Sequence, residues 1–196
     1  MPRSPSASHL PLLPFWVLAP TMALTLAARF EPVVFTSLRR DPGALGRGEV
    51  WRLLSPVLVQ ADFLADNGVW RTIAVWVFVA AIVAVAERTL GGLRSLALYV
   101  IGALVGHGVG ELWQPLSSGC SVAGCGVLGG LVAWLLRAKP MPVRLNGGLW
   151  LAAGVVATGL EDIHGPALLA GALAGAWLCR SVPLPHAWSE ADRDGR

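Results

Sequence analysis

The feature that most limits the fold of this chain is a series of six apolar stretches, each close to the length that crosses a lipid bilayer. A transmembrane helix needs about 20 apolar residues to span a hydrocarbon core of about 30 Å. The six stretches run over residues 10–28, 72–86, 93–109, 120–136, 145–160 and 165–179. The pattern predicts an all-α fold, a polytopic membrane protein whose six transmembrane helices form a bundle.

The composition supports a lipid environment and argues against the soluble classes. Hydrophobic residues make up 55% of the 196 residues and charged residues 14%, whereas a soluble domain carries about 25% charged residues. Three cysteines, an odd number, all lie inside apolar stretches, which excludes a secreted disulfide scaffold. The net charge of +3 comes without a basic run interleaved with aromatic residues. Membrane lipids are therefore expected as partners, and nucleic acid is not.

The distribution of positive charge predicts how the chain is oriented. Lys and Arg cluster in two of the short loops, at Arg88, Arg94, Arg137, Lys139 and Arg144. The short loops on the other side, around Glu111 and around Glu161 and Asp162, contain neither. The positive-inside rule then places both termini in the cytoplasm. We expect residues 1–182 to form one membrane domain with a long external loop at about 30–69, and residues 183–196 to form a short cytoplasmic tail.

Glycine recurs at four-residue spacing in the third and sixth stretches, at Gly102, Gly106, Gly110, Gly171 and Gly175. In lipid, stripes of small residues let helix backbones approach closely, although any compact bundle can carry them. We expect the sixth stretch to pack on a matching stripe of the fourth, formed by Cys125, Gly129 and Ala133.

Polar side chains inside a membrane are costly, so each one is a candidate for function. Ser121 begins the fourth stretch, directly after the small residues Gly119 and Cys120. There it can cap the helix, or it can act as a nucleophile beside free backbone N–H groups that stabilise negative charge on an attacked carbonyl. Both interpretations fit the local sequence.

His164 begins the sixth stretch at the same depth as Ser121, because both stretches run inward. A serine–histidine dyad needs that shared depth, since the imidazole takes the hydroxyl proton. We therefore expect Ser121 Oγ and a ring nitrogen of His164 to lie within hydrogen-bond reach or slightly beyond it. His107, on the third stretch, is the rival base, or else a packed and hydrogen-bonded histidine.

Metal chemistry and aspartate chemistry lack the residues that they need. No His-Glu-x-x-His motif is present, and no ligand spacing joins His107, His164 and Cys120 into a metal site. Asp162 stands alone at the edge of a stretch, so a pair of intramembrane aspartates is missing too. The sequence therefore favours serine chemistry or no chemistry, with no metal and no organic cofactor.

Three motifs follow one another along residues 10 to about 180: Trp51-Arg52 after the first stretch, Gly119-x-Ser121 at the start of the fourth, and His164-x-x-Ala167-x-x-x-Gly171 at the start of the last. In this order and spacing they resemble the rhomboid family of intramembrane serine proteases, whose core has six transmembrane helices. The resemblance implies that Ser121 is the nucleophile and that His164 is the general base. It also implies an oxyanion bound by the Ser121 amide, Gly119 and Asn67.

The sequence departs from the family pattern around the expected oxyanion site. Val122 stands where the family usually has glycine, and the His-x-x-x-Asn motif that supplies oxyanion donors is absent. Asn67 is the expected replacement donor, and Gln60 is an alternative that requires a different local path of the chain. The loss of one oxyanion donor costs about 100- to 1000-fold in rate.

The resemblance implies a rhomboid-type serine endopeptidase in a bacterial plasma membrane, cleaving single-span membrane proteins near the outer leaflet. The alternative is a catalytically inactive rhomboid-like protein that binds or escorts transmembrane segments. The presence of Ser121 and His164 favours the enzyme, whereas the missing His-x-x-x-Asn motif favours the inactive protein.

Overall fold

The structure is a computed structural model that describes residues 10–64 and 68–189. Within these ranges the chain is helical and contains no strand, so the predicted all-α class is confirmed. Three 3₁₀ turns, Val50–Leu53, Ser55–Leu58 and Ala61–Leu64, precede the fourth α-helix. The α-helices are α1 (Leu13–Phe30), α2 (Pro32–Leu38), α3 (Pro42–Gly46), α4 (Gly68–Leu90), α5 (Gly92–Trp113), α6 (Ser121–Leu135), α7 (Met141–Gly159), α8 (His164–Leu178) and α9 (His186–Ser189).

Each of the six apolar stretches overlaps one long helix, namely α1, α4, α5, α6, α7 and α8. Among the described residues, only α1, α4 and α5 are both long enough and apolar enough to cross a membrane. Helices α6 and α8 have 15 residues each, or about 22 Å at the helical rise of 1.5 Å per residue. The structure thus supports three membrane-spanning helices, and the count of six crossings stays a prediction.

Helix α6 occupies the centre of the bundle, where it contacts α4, α5, α7 and α8. Nearly all of its residues are buried, on every face of the helix. The surrounding helices instead expose large apolar side chains, such as Trp16 of α1, Trp70 of α4 and Leu149 of α7. Exposed apolar surface of this kind is typical of helices that face lipid. A residue carried by α6 is therefore held by packing from several directions at once.

Glycines bring the backbones of α5, α6 and α8 into direct contact. A Cβ atom on Gly102 of α5 would lie 2.6 Å from Gly126 Cα of α6, and one on Gly175 of α8 would lie 2.6 Å from Gly130 Cα. A Cβ atom on Gly171 would overlap the carbonyl oxygen of Gly126. The close approach expected from the glycine stripes is thus present.

The face of α6 that meets α8 contains the expected residues and two further glycines. Gly129 and Ala133 lie at this interface, as the spacing predicts. Gly126 and Gly130, one residue further along the helix, also meet α8, at Gly171 and Gly175. Cys125 packs beside Ala167, near the start of α8, so all three expected residues lie at this interface. The interface includes these further glycines because α5 and α8 both pack closely on α6, so its small residues occupy two faces.

The segment between α1 and α4 is an ordered structure held together by Arg52. Its guanidinium donates to the carbonyl oxygens of Thr36 and Arg39, each at 2.9 Å, and its Nε donates to the Glu49 carboxylate at 2.8 Å. Ser55 Oγ donates to the Leu38 carbonyl at 2.8 Å. Arg52 of the expected Trp-Arg motif thus links the end of α2 to the first 3₁₀ turn.

Candidate active site

The structure brings Ser121 and His164 together, one at the first position of α6 and the other at the first position of α8. Ser121 Oγ lies 2.9 Å from His164 Nε2. The two helices run parallel, because Gly126 meets Gly171 and Gly130 meets Gly175 in the same order along both. Their starting residues therefore meet at one end of the bundle, at the distance expected for a serine–histidine pair.

Asp162 adds a third member to this chain of hydrogen bonds. Its Oδ1 accepts from the ring Nδ1 of His164 at 2.6 Å and from the backbone N–H of His164 at 2.9 Å. Partial burial raises the pKa of Asp162, but the two hydrogen bonds from His164 outweigh this and hold the pKa below its ordinary value. Asp162 is therefore an ionised carboxylate at neutral pH.

The carboxylate decides which ring nitrogen of His164 carries the proton. An ionised carboxylate only accepts hydrogen bonds, so Nδ1 must be the protonated nitrogen. In the neutral ring, Nε2 then has a free lone pair, and the hydroxyl of Ser121 donates to it. This is the arrangement in which an imidazole can take the proton of a hydroxyl group.

Sequence analysis missed this role of Asp162, which it treated as an isolated residue at the edge of a stretch. A local signal was available. Aspartate side chains readily hydrogen-bond to the backbone N–H two residues further on, and Asp162 stands two residues before His164.

His107 makes its hydrogen bond to Arg40, a loop residue, and not to Ser121 or His164. Its side chain is fully buried, and its Nδ1 lies 2.7 Å from a guanidinium nitrogen of Arg40. Burial lowers the pKa of Arg40 to about 10, against the opposing charge of Glu111, so the guanidinium is protonated at neutral pH. Arginine only donates, so His107 Nδ1 accepts here and the ring proton is on Nε2. His107 thus ties α5 to the segment that precedes α3.

The structure describes only some of the residues that were expected to bind the oxyanion. Asn67 lies outside the described residues. The N–H of Gly119 donates to the carbonyl oxygen of Pro56 at 3.0 Å, so it is not available to an oxyanion, contrary to its expected role as a donor. The N–H of Ser121, at the start of α6, has no partner within the part of the chain that the structure describes. This N–H lies at a helix N-terminus, where the helix dipole and the free N–H groups stabilise negative charge.

Gln60 is the amide that the structure brings next to the nucleophile segment. Its side chain is 3% exposed, and its backbone N–H donates to Thr25 Oγ1 at 3.0 Å. A Cβ atom on Gly119 would lie 3.1 Å from Gln60 Oε1 and 3.3 Å from Nε2, so the amide rests against this glycine. Gln60 Oε1 has no hydrogen-bond partner among the described residues. The alternative donor named from the sequence is therefore in place beside Gly119.

An apolar cavity adjoins His164. It lies between α4, α6, α7 and α8, and its walls include Phe78, Cys125, Trp150 and Leu168. Such a cavity accepts an apolar side chain more readily than a polar one. Within residues 10–64 and 68–189, no three His, Cys, Asp or Glu side chains are grouped so that they could hold a metal ion.

The chain is similar to a known protein over part of its length. "Rhomboid-like protease 3" of Toxoplasma gondii is 32% identical to it over 92 residues, which cover 46% of this chain and 33% of that protein. The similarity thus spans about a third of the relative's length. No protein-family model matches the sequence. Taken with the apolar helices, this similarity suggests a multi-pass membrane protein of a rhomboid-like family.

Proposed function

We propose that this chain is an intramembrane serine endopeptidase of rhomboid type. The observation that carries the proposal is the contact of 2.9 Å between Ser121 Oγ and His164 Nε2, with the ring oriented so that Nε2 can accept a proton. The partial similarity to a rhomboid-like protease supports the same activity. Glycine packing of α6 against α8 supports it further, because it holds the two side chains at bonding distance.

The proposed reaction proceeds in two balanced steps. Ser121 Oγ attacks the scissile carbonyl carbon while its proton passes to His164 Nε2, and the carbonyl π electrons move to oxygen. The oxyanion then collapses, the C–N bond breaks, and His164 gives the proton to the departing nitrogen. In the second step, water loses a proton to His164, attacks the acyl-enzyme and releases Ser121 with its hydroxyl proton restored.

The proposed oxyanion site consists of two hydrogen-bond donors, the backbone N–H of Ser121 and the side-chain NH₂ group of Gln60. Ser121 N–H lies at a helix N-terminus, where the aligned peptide dipoles favour negative charge. Gln60 lies against Gly119, and glycine at that position leaves room for a carbonyl group to approach. The side-chain nitrogen of Gln60 makes one long hydrogen bond, 3.4 Å to Asp62, which costs little to break.

The proposed substrates are single-span membrane proteins whose helix unwinds near the outer leaflet. The apolar cavity beside His164 is suited to an apolar side chain next to the cleaved bond. We place the protein in a bacterial plasma membrane with six crossings and both termini in the cytoplasm, on the strength of the charge distribution in the short loops.

The test is labelling by a fluorophosphonate probe in detergent, which reacts with an activated serine. We expect the wild type to be labelled, Ser121→Ala to lose the label, and Ser118→Ala to keep it. Ser118 is a matched control, because it is a buried serine three residues before Ser121. If the folded wild type takes no label, the protease is refuted, and the inactive protein that escorts transmembrane segments becomes the better account. The engaged N–H of Gly119 is the observation that favours this second candidate.

A further inference from the structure

We infer that Asp162 is a positioning residue for His164, so that the site works as a Ser–His–Asp chain and not as a dyad. This inference rests on the proposed function and deepens it. Asp162 would hold the imidazole in the tautomer with the proton on Nδ1 and stabilise the imidazolium that forms when Ser121 gives up its proton.

The geometry supports this role through one oxygen atom. Asp162 Oδ1 accepts two hydrogen bonds from His164, one from the ring Nδ1–H at 2.6 Å and one from the backbone N–H at 2.9 Å. The two bonds fix the ring relative to its own backbone, which leaves the imidazole little freedom to rotate away from Ser121. A charge-assisted hydrogen bond of this length is about twice as strong as one between neutral groups.

A purely structural explanation also exists, and the two make different predictions. Asp162 could serve only to cap the first turn of α8 by accepting the His164 N–H. A cap needs any oxygen acceptor, so asparagine or serine would replace it. A positioning residue needs a carboxylate, because an amide can offer its NH₂ group to the ring and so permit the other tautomer.

The other groups that lie near His164 do not provide this carboxylate. Cys125 of α6 lines the same cavity as His164, and its side chain is a thiol. Helix α7 presents Trp150 and Ala157, which carry no charge. Variants at Asp162 leave all of these unchanged, so a change in the ring reports on Asp162.

The chain offers a closely matched control in Glu161. Glu161 is the adjacent residue on the same turn and carries the same charge, and its contacts there are made by backbone atoms. Glu161→Gln removes a negative charge from the same place without touching the His164 ring. A general electrostatic effect would therefore appear in both variants, whereas positioning would be lost in Asp162→Asn alone.

The first experiment reads the tautomer of His164 directly and needs no enzymatic activity. The protein is labelled with ¹⁵N-histidine in detergent micelles at mildly alkaline pH, where an ordinary imidazole is neutral, and the His164 signals are assigned by their loss in His164→Ala. We expect the Nδ1–H tautomer in the wild type and in Glu161→Gln. In Asp162→Asn and Asp162→Ser we expect it to give way to the Nε2–H form. If both folded variants keep the Nδ1–H tautomer, the inference is overturned.

The second experiment measures cleavage of a single-span reporter. Asparagine in place of a buried triad aspartate costs about 10⁴-fold in kcat in serine proteases. The Asp162 side chain is 48% exposed, and water weakens its effect, so we expect a loss of about 10- to 1000-fold in kcat with little change in KM. Glu161→Gln should keep the wild-type rate, and equal rates in Asp162→Asn and the wild type would overturn the inference. If no form cleaves or takes the fluorophosphonate label, the protease proposal fails, while the tautomer measurement still decides the role of Asp162.

Discussion

Helices α5 and α8 each contain a histidine, and the two rings are arranged in opposite ways. His164 donates a hydrogen bond from Nδ1 to a carboxylate and turns its Nε2 lone pair toward Ser121. His107 accepts a hydrogen bond at Nδ1 from Arg40 and has its own proton on Nε2. His164 is partly exposed at a helix start, whereas His107 is fully buried.

The group bonded to Nδ1 of a histidine therefore decides whether the far ring nitrogen can accept a hydrogen bond or only donate one. A carboxylate leaves the far nitrogen free to accept, which suits a general base. A guanidinium leaves the far nitrogen protonated, so that it can only donate. From the sequence alone both histidines are candidate bases, and the side chain on Nδ1 is what separates them.

The largest effect on cleavage is expected from removing each histidine ring in turn. His164→Ala should lower cleavage of a single-span reporter by about 10⁴- to 10⁶-fold, because it removes the base. His107→Ala should leave the rate per folded molecule unchanged and lower the yield of folded protein, since Arg40 loses a buried partner. The measurement is reporter cleavage normalised to the folded fraction. Activity that survives His164→Ala but is lost in His107→Ala would reverse the assignment.

The next effect concerns the oxyanion site that accompanies His164. Gln60→Met keeps the length of the side chain and removes its amide, so we expect a loss of about 100- to 1000-fold in kcat. Gln114→Met is the control, because Gln114 is a glutamine at the end of α5 whose side chain makes one exposed hydrogen bond. A wild-type rate in Gln60→Met would exclude Gln60 as a donor and leave the Ser121 amide with another partner.

The smallest effect is expected at the partner of His107. Arg40→Met removes the buried donor to His107 Nδ1 and to the Gln114 carbonyl, and it should destabilise the protein by about 1–3 kcal/mol. Arg47→Met is the control, since Arg47 is largely exposed and surface substitutions usually change stability by less than about 0.5 kcal/mol. Thermal unfolding in detergent measures both. A midpoint that is equal in Arg40→Met and Arg47→Met would show that the buried tie contributes nothing.

The positions of the helices could be predicted from the sequence because each long helix is an apolar run. The stretch at residues 120–136 became α6, and the stretch at residues 165–179 became α8, to within a residue or two at each end. The exact faces were harder. Gly126 and Gly130 also contact the neighbouring helices, and this depends on where α5 and α8 lie around α6, which no local pattern records.

The candidate site could be predicted only in part for a related reason. Ser121 and His164 stand at the starts of apolar runs, so their shared depth could be inferred. The pairing of Arg40 with His107 joins residues 67 positions apart and has no local signal. The occupied N–H of Gly119 is similar, because its acceptor, the Pro56 carbonyl, belongs to a distant turn.

Hydrogen bonds fix the length of the turn that joins α7 to α8, so this turn does not tolerate an inserted residue. Glu161 has a left-handed backbone with φ of 58°, which ends α7, and the N–H of Asp162 returns to the Ala157 carbonyl at 2.9 Å. The next two residues then start α8 with the ring already in place. Surface turns are usually where insertions are best tolerated. Here a single extra residue between Asp162 and His164 would separate the carboxylate from both of its bonds, so a chain that keeps this arrangement must keep the length of the turn.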